Sequence, residues 1–284
     1  MRREFWQVDA FTTVPYTGNP AAVVFDAQGL SGANMQRIAL EMNLSETVFV
    51  LPPEDPAADY KVRIFTPRNE LPFAGHPTLA TAHAMTERGL KPKQAGLIRQ
   101  ECGIGLIPVE IRDEGFVMTQ GKPEHRSVPV DAALAAKMLG CSASAVAKHP
   151  VEVVSTGVPW TIVPLDALST IEKLEPDLRL IETVCRDNKS PGITCFAPAK
   201  DAAYRLRTFA PGDGIVEDPV CGSGNGSVAA YIARHLKKGD ASFAYRAEQG
   251  IEMGRPGQVI AEVEGQAVRI GGRAVTVLEG FLRN

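Results

Sequence analysis

Residues 5–11, Phe-Trp-Gln-Val-Asp-Ala-Phe, alternate apolar with polar positions, and together with residues 21–25 they read as two strands. The turn between them is rich in Thr, Pro, Gly and Asn, which supply special backbone angles. Ser31 can cap a helix running to about Met42, with Met35, Ile38, Ala39 and Met42 spaced as one buried face. Strands are expected again over Leu44 to Leu51 and Asp59 to Thr66. Pro67 to Pro77 reads as a loop, and Pro77 suits the first position of a helix that runs through small, mostly apolar residues to Arg88 and stops at Gly89.

The second half repeats this order. Arg63-Ile64-Phe65-Thr66-Pro67 has a counterpart in Arg207-Thr208-Phe209-Ala210-Pro211, and Phe73-Ala74-Gly75-His76-Pro77-Thr78 has one in Val220-Cys221-Gly222-Ser223-Gly224-Asn225. The loop between the matched segments is longer in the second copy, and Asp218 lies in the insertion. The helix after it is expected over roughly Gly226 to Lys238, again small and apolar at first, with Arg234, Lys237 and Lys238 at its C-terminal end. The pattern predicts a duplicated unit of strand, glycine loop and buried helix. Gln120 to Asp131, with Gly121, Pro123 and Pro129 among charged residues, reads as the linker between domains 1–120 and 121–273. The final segment 274–284 is expected to return as a strand to the first domain.

With 284 residues, two domains fit the length. Lys and Arg number 30 against 33 Asp and Glu, a balance that argues against a nucleic-acid partner. No segment approaches the roughly 18 apolar residues of a membrane span, and the N-terminal residues lack the apolar stretch of a signal peptide. Five cysteines without a C-x-x-C pair suit reduced thiols and no structural zinc, so the chain reads as cytoplasmic.

Two helix N-termini carrying unpaired N–H groups would suit a small carboxylate-bearing substrate and the charge that develops when a proton is abstracted, in place of a metal or an organic cofactor. Neither loop matches a nucleotide-binding spacing. Acid/base candidates lie in or beside the loops: His76, Asp218 and Cys221. Each has a plain alternative. Asp218 before Pro219 can shape a turn, His76 can cap a helix, and Cys221 can be a small buried apolar residue.

Gly18-Asn19-Pro20-Ala21-Ala22-Val23, Ser45-Glu46-Thr47-Val48-Phe49, Arg63 to Pro67, Pro72 to Thr78 and Glu217-Asp218-Pro219 through Gly222-Ser223 together resemble the PhzF-like proteins, a family named for a phenazine-biosynthesis isomerase. The resemblance implies an α+β fold like that of diaminopimelate epimerase. Two pseudo-symmetric domains would each curl a sheet around a central helix, with the active site in the cleft between them. It implies a cofactor-independent isomerase, working as a homodimer, in which Glu46 shuttles a proton. His76 and Asp218 would flank the substrate, and Gly75, Gly222 and Ser223 would contact its carboxylate and oxyanion. The Gln249-Gly250 and Met253 to Pro256 stretch also resembles the family and is assigned a structural turn.

One departure bears on mechanism. Cys221 precedes the glycine as a catalytic thiol does in the epimerases, but the repeat aligns it with Ala74, so the partner of a two-thiol racemase is missing. Packing is the preferred role for Cys221. The competing functions are a racemase or epimerase using Cys221 with a non-thiol partner, and a non-catalytic small-molecule-binding protein.

Overall fold

A parallel strand pair needs a crossover, and the first one is built around a capped helix. Strands Asn19–Val24 and Glu46–Leu51 run parallel, with Ala21 opposite Glu46 and Val24 opposite Phe49. Helix Gly32–Met42 joins them. Its N-cap is Ser31, whose side chain accepts from the Asn34 N–H, and its C-cap is Asn43 in the left-handed region. Met35 and Ala39 both close onto Phe49 and Phe65 in one apolar cluster.

Ala39 and Met35 are fully buried on that helix, and Ile38 packs beside them from the same face.

The computed structural model describes residues 2–238 and 240–283, and the chain divides into two compact units. One holds the residues up to Met118 together with those from Gly271 onward; the other is Thr119–Ile270. In the first, helix Gly75–Glu87 is buried on nearly all sides, from His76 through Ala82 and again at Ala84. Its small residues let strands approach closely. Its threonines return their hydroxyls to the backbone, Thr81 to Pro77 O at 2.7 Å and Thr86 to Ala82 O at 2.7 Å, so no hydroxyl is stranded among apolar neighbours. Strand Ala274–Arg283 pairs antiparallel with Arg2–Ala10, Trp6 lying opposite Glu279.

The second unit has the same internal order. Strands Pro159–Pro164 and Ile193–Pro198 run parallel, with helix Leu178–Asp187, capped by Asp177, between them in sequence. Strand Tyr204–Ala210 is antiparallel to Ile193–Pro198 and parallel to Ser242–Gln249. In the first unit Tyr60–Phe65 is likewise antiparallel to Glu46–Leu51 and parallel to Leu97–Cys102. The charge pairs repeat as well. Lys61 pairs with Glu101 across its strands at 3.2 Å, and Arg205 pairs with Glu248 at 2.7 Å. Arg63 grips Glu70 through two nitrogens, as Arg207 grips Glu217. Each of these arginines also lies over a phenylalanine two residues on, Phe65 and Phe209.

Three expectations need correction. The first central helix begins at Gly75, so Pro77 is its third residue and not its first; a proline is accepted there because the N–H it lacks would have had no partner within the helix. The second begins at Gly222 and ends at His235, so Gly-Ser-Gly-Asn-Gly is helical and not a loop. Glycine is required there by crowding: a Cβ on Gly224 would lie 2.7 Å from Thr194 Oγ1, and one on Gly226 would lie 2.7 Å from Thr156 Oγ1. Finally, 120–131 is not a free linker. Gln120 and Gly121 donate to Val268 O and Thr156 O, and Glu124–Ser127 is a strand paired with Glu152–Ser155. Among the described residues no helix is long and apolar enough to cross a membrane.

Candidate active site

In the first unit, strand pairing carries Glu46 to the start of its strand beside Ala21, two residues after Asn19. The helix start at Gly75 places His76 against the same strands. His76 Nε2 lies 3.2 Å from Glu46 Oε2, with both side chains largely buried. Ser45 Oγ lies 3.4 Å from Asn19 Oδ1 and 3.5 Å from His76 Nε2, and the Asn19 amide nitrogen faces His76 Nδ1 at 3.4 Å. With Nδ1 as acceptor, the proton of a neutral His76 sits on Nε2, the nitrogen facing Glu46. That contact is out of line for a hydrogen bond, and Glu46 Oε2 is buried without one. Loss of solvation therefore governs the carboxyl: burial raises its pKa from 4.5 to about 7, against a smaller lowering by a hydrogen bond from Ser45. A carboxyl poised there is both base and acid near neutral pH.

In the second unit, Asp218 ends strand Ile215–Asp218 and its Oδ1 accepts from Val220 N at 3.1 Å, closing a turn. Cys221 caps the helix: its Sγ accepts from Gly224 N at 3.3 Å. Burial, reinforced by the nearby Asp218, raises the Cys221 pKa well above the ordinary thiol range. Ser223 Oγ accepts from Trp160 Nε1 at 2.9 Å, which fixes the hydroxyl oxygen and leaves its proton to donate. Among the described residues no group of three or more His, Cys, Asp or Glu side chains is arranged to hold a metal ion.

The sequence pattern of the phenazine biosynthesis-like proteins, PhzC-PhzF, matches residues 8–280. The chain belongs to the PhzF family. Over 287 residues, 97% of each chain, it is 40% identical to the trans-2,3-dihydro-3-hydroxyanthranilate isomerase of Pseudomonas fluorescens. Among solved structures it resembles a PhzF-family phenazine biosynthesis protein of Bacillus anthracis, with 29% identity, a TM-score of 0.91 and all of both chains covered. A hydroxyproline epimerase of Agrobacterium vitis shares the fold, with a TM-score of 0.65 at 16% identity over 99% of this chain and 92% of the other. The α+β, epimerase-like architecture is therefore that of a PhzF-family isomerase.

Within this PhzF-family chain, the first unit brings Glu46 and His76 together, with Gly75 one residue before His76 at the helix start. The second brings Asp218, Cys221, Gly222 and Ser223 together at the other helix start. Four supporting residues escaped the reading of chemistry from sequence: Asn19 and Ser45 around His76, Trp160 behind Ser223, and Gln249. The first two lie inside the motifs that carried the resemblance. The turn role given to Gln249 is a correction: it ends strand Ser242–Gln249 and its side chain is buried against the Asp218–Asn225 segment.

Proposed function

We propose that this PhzF-family isomerase moves a proton within a small carboxylate-bearing substrate without a cofactor, with Glu46 carrying the proton. The observation that supports this most directly is the desolvated Glu46 carboxyl, raised to about 7 with one oxygen lacking a hydrogen bond and His76 beside it. Glu46 takes a proton from carbon, the electron pair left behind spreads into the substrate's unsaturated system, and the same carboxyl returns the proton at another carbon. No net oxidation occurs. The fold duplication supplies no second carboxyl: pairing with the strands of Phe65 and Phe209 makes Gly192 the counterpart of Glu46. A lone base suits withdrawal and return on one face. Asp218 is assigned to polarise the substrate or relay a proton, and the N–H groups at Gly75 and Gly222, with the Ser223 hydroxyl, to hold carboxylate and developing oxyanion. A homodimer in the cytoplasm belongs to the same reading.

The test follows trans-2,3-dihydro-3-hydroxyanthranilate, the compound named for the Pseudomonas relative, and a panel of small unsaturated and amino acids in D2O by NMR. Isomerisation with no added cofactor is expected, the migrating hydrogen being retained except where the proton held on Glu46 exchanges with D2O before its return and deuterium enters at the newly formed C–H. Absence of both isomerisation and exchange across the panel rejects the proposal.

Cys221 is given no proton to carry, because its buried thiol resists ionisation and serves the helix cap. Cys221→Ala is expected to keep its turnover while losing about 1 kcal/mol of stability or less from the cap. Loss of turnover in a folded Cys221→Ala protein, with inversion at a stereocentre in the wild type, would instead favour the racemase reading.

A further inference from the structure

We propose that Gln249 is a positioning residue for Asp218, a role that rests on the reading of Asp218 as part of the proton-transfer site. Its side chain is almost wholly buried, with 1% relative exposure. The amide spans the turn that carries Asp218. Nε2 donates to the Asp218 main-chain oxygen at 3.0 Å, and Oε1 accepts from Cys221 N at 3.2 Å and from Asn225 Nδ2 at 2.9 Å. Asn225 in turn donates to Cys221 O at 2.9 Å, so strand end, turn and helix start are joined by one buried network. Gly250 completes the support. A Cβ there would lie 2.5 Å from Pro219 O, so the chain after Gln249 passes directly under the same turn.

The duplication shows that this support is particular to the second unit. Tyr60 pairs with Gln100 as Tyr204 pairs with Ala247, which makes Cys102 the counterpart of Gln249. Cys102 Sγ donates to Gly105 O, within its own hairpin. The first copy also has the shorter loop and no Asp218. An inserted acidic turn and the amide that holds both of its ends thus occur in the same copy. The Asp218 carboxyl accepts from Val220 N within that turn and lies against the Cys221 thiol at its end, so moving the turn moves the carboxyl.

Gln249→Glu separates positioning from packing. It keeps the size and the acceptor oxygen but, when ionised, loses the donor to Asp218 O. Expected is a fall in kcat of about 10- to 100-fold from displacement of Asp218, with KM changed by less than about threefold. When the new carboxyl is protonated, its O–H replaces the lost donor, so the ratio of wild-type to variant kcat should narrow as pH falls. In the Asp218→Asn background the same change should cost nothing further. Gln249→Leu, which removes both ends of the clamp, should lower kcat more. Unchanged kcat in Gln249→Glu, or an equal loss in the Asp218→Asn background, overturns the proposal. Glu46→Gln measured beside these variants keeps the two ideas apart: full turnover there defeats the isomerase reading, whereas lost turnover there with normal Gln249→Glu defeats only the clamp.

Discussion

Glu46→Gln is expected to lower kcat by about 10²- to 10⁴-fold, the contribution of a positioned acid/base group, while making the protein more stable at neutral pH. The two effects share one cause. The folded state holds Glu46 at about 7 against an ordinary value of 4.5. Between those values the folded protein keeps a proton that the unfolded chain has released. Stability therefore falls as pH rises through that window, by roughly 3 kcal/mol in all. Glutamine removes the titration. Below about pH 4.5 the variant and wild type should differ little, and above pH 7 the variant should be the more stable. Urea melts across this range, set beside kcat, check both halves. A variant that keeps its turnover, or a stability difference independent of pH, contradicts the environment assigned to Glu46.

The largest loss of stability is expected from the second-unit arginine pair. Arg207 and Glu217 are 9% and 11% exposed, and Arg207 also reaches Ile171 O at 3.2 Å. Removing the acid in Glu217→Ala leaves a guanidinium buried without its counter-charge, at a cost of about 3–5 kcal/mol. The equivalent pair in the first unit, Arg63 and Glu70, is 32% and 41% exposed. Water replaces the lost partner there, and Glu70→Ala should cost about 1 kcal/mol or less. Thermal or denaturant melts of the two variants make the comparison, and equal losses would show that burial does not separate the pairs. Because Glu217 precedes Asp218, the same variant also tests whether the pair anchors the acidic turn.

Local chemistry made part of this fold legible. Ser31 announced its helix because its hydroxyl replaces an N–H partner that the helix cannot supply, and the repeat of Arg63 to Pro67 in Arg207 to Pro211 announced two copies of one topology. Glycine and proline signal loops when taken alone, which hides the starts of the central helices at Gly75 and Gly222. At Gly224 and Gly226 glycine answers instead to the threonines packed against the helix, which only the tertiary structure supplies. Glu46 shows the same limit for chemistry. Its spacing is that of a solvated turn residue, and the resemblance, not periodicity, singled it out; its raised pKa comes from burial that no local pattern encodes. Gln249 lies well beyond the turn it supports in sequence, and parallel pairing with the Tyr204–Ala210 strand is what returns it there.

The pairing of Arg2–Ala10 with Ala274–Arg283 also sets an order of events during synthesis. The second unit is one continuous stretch, so it can close as soon as Ile270 has left the ribosome. The first unit, although translated earlier, waits for the last strand. Until residue 283 has been made, one edge of Arg2–Ala10 lacks its partner and offers open backbone groups to other chains. The earliest part of the nascent chain is thus the last to be completed.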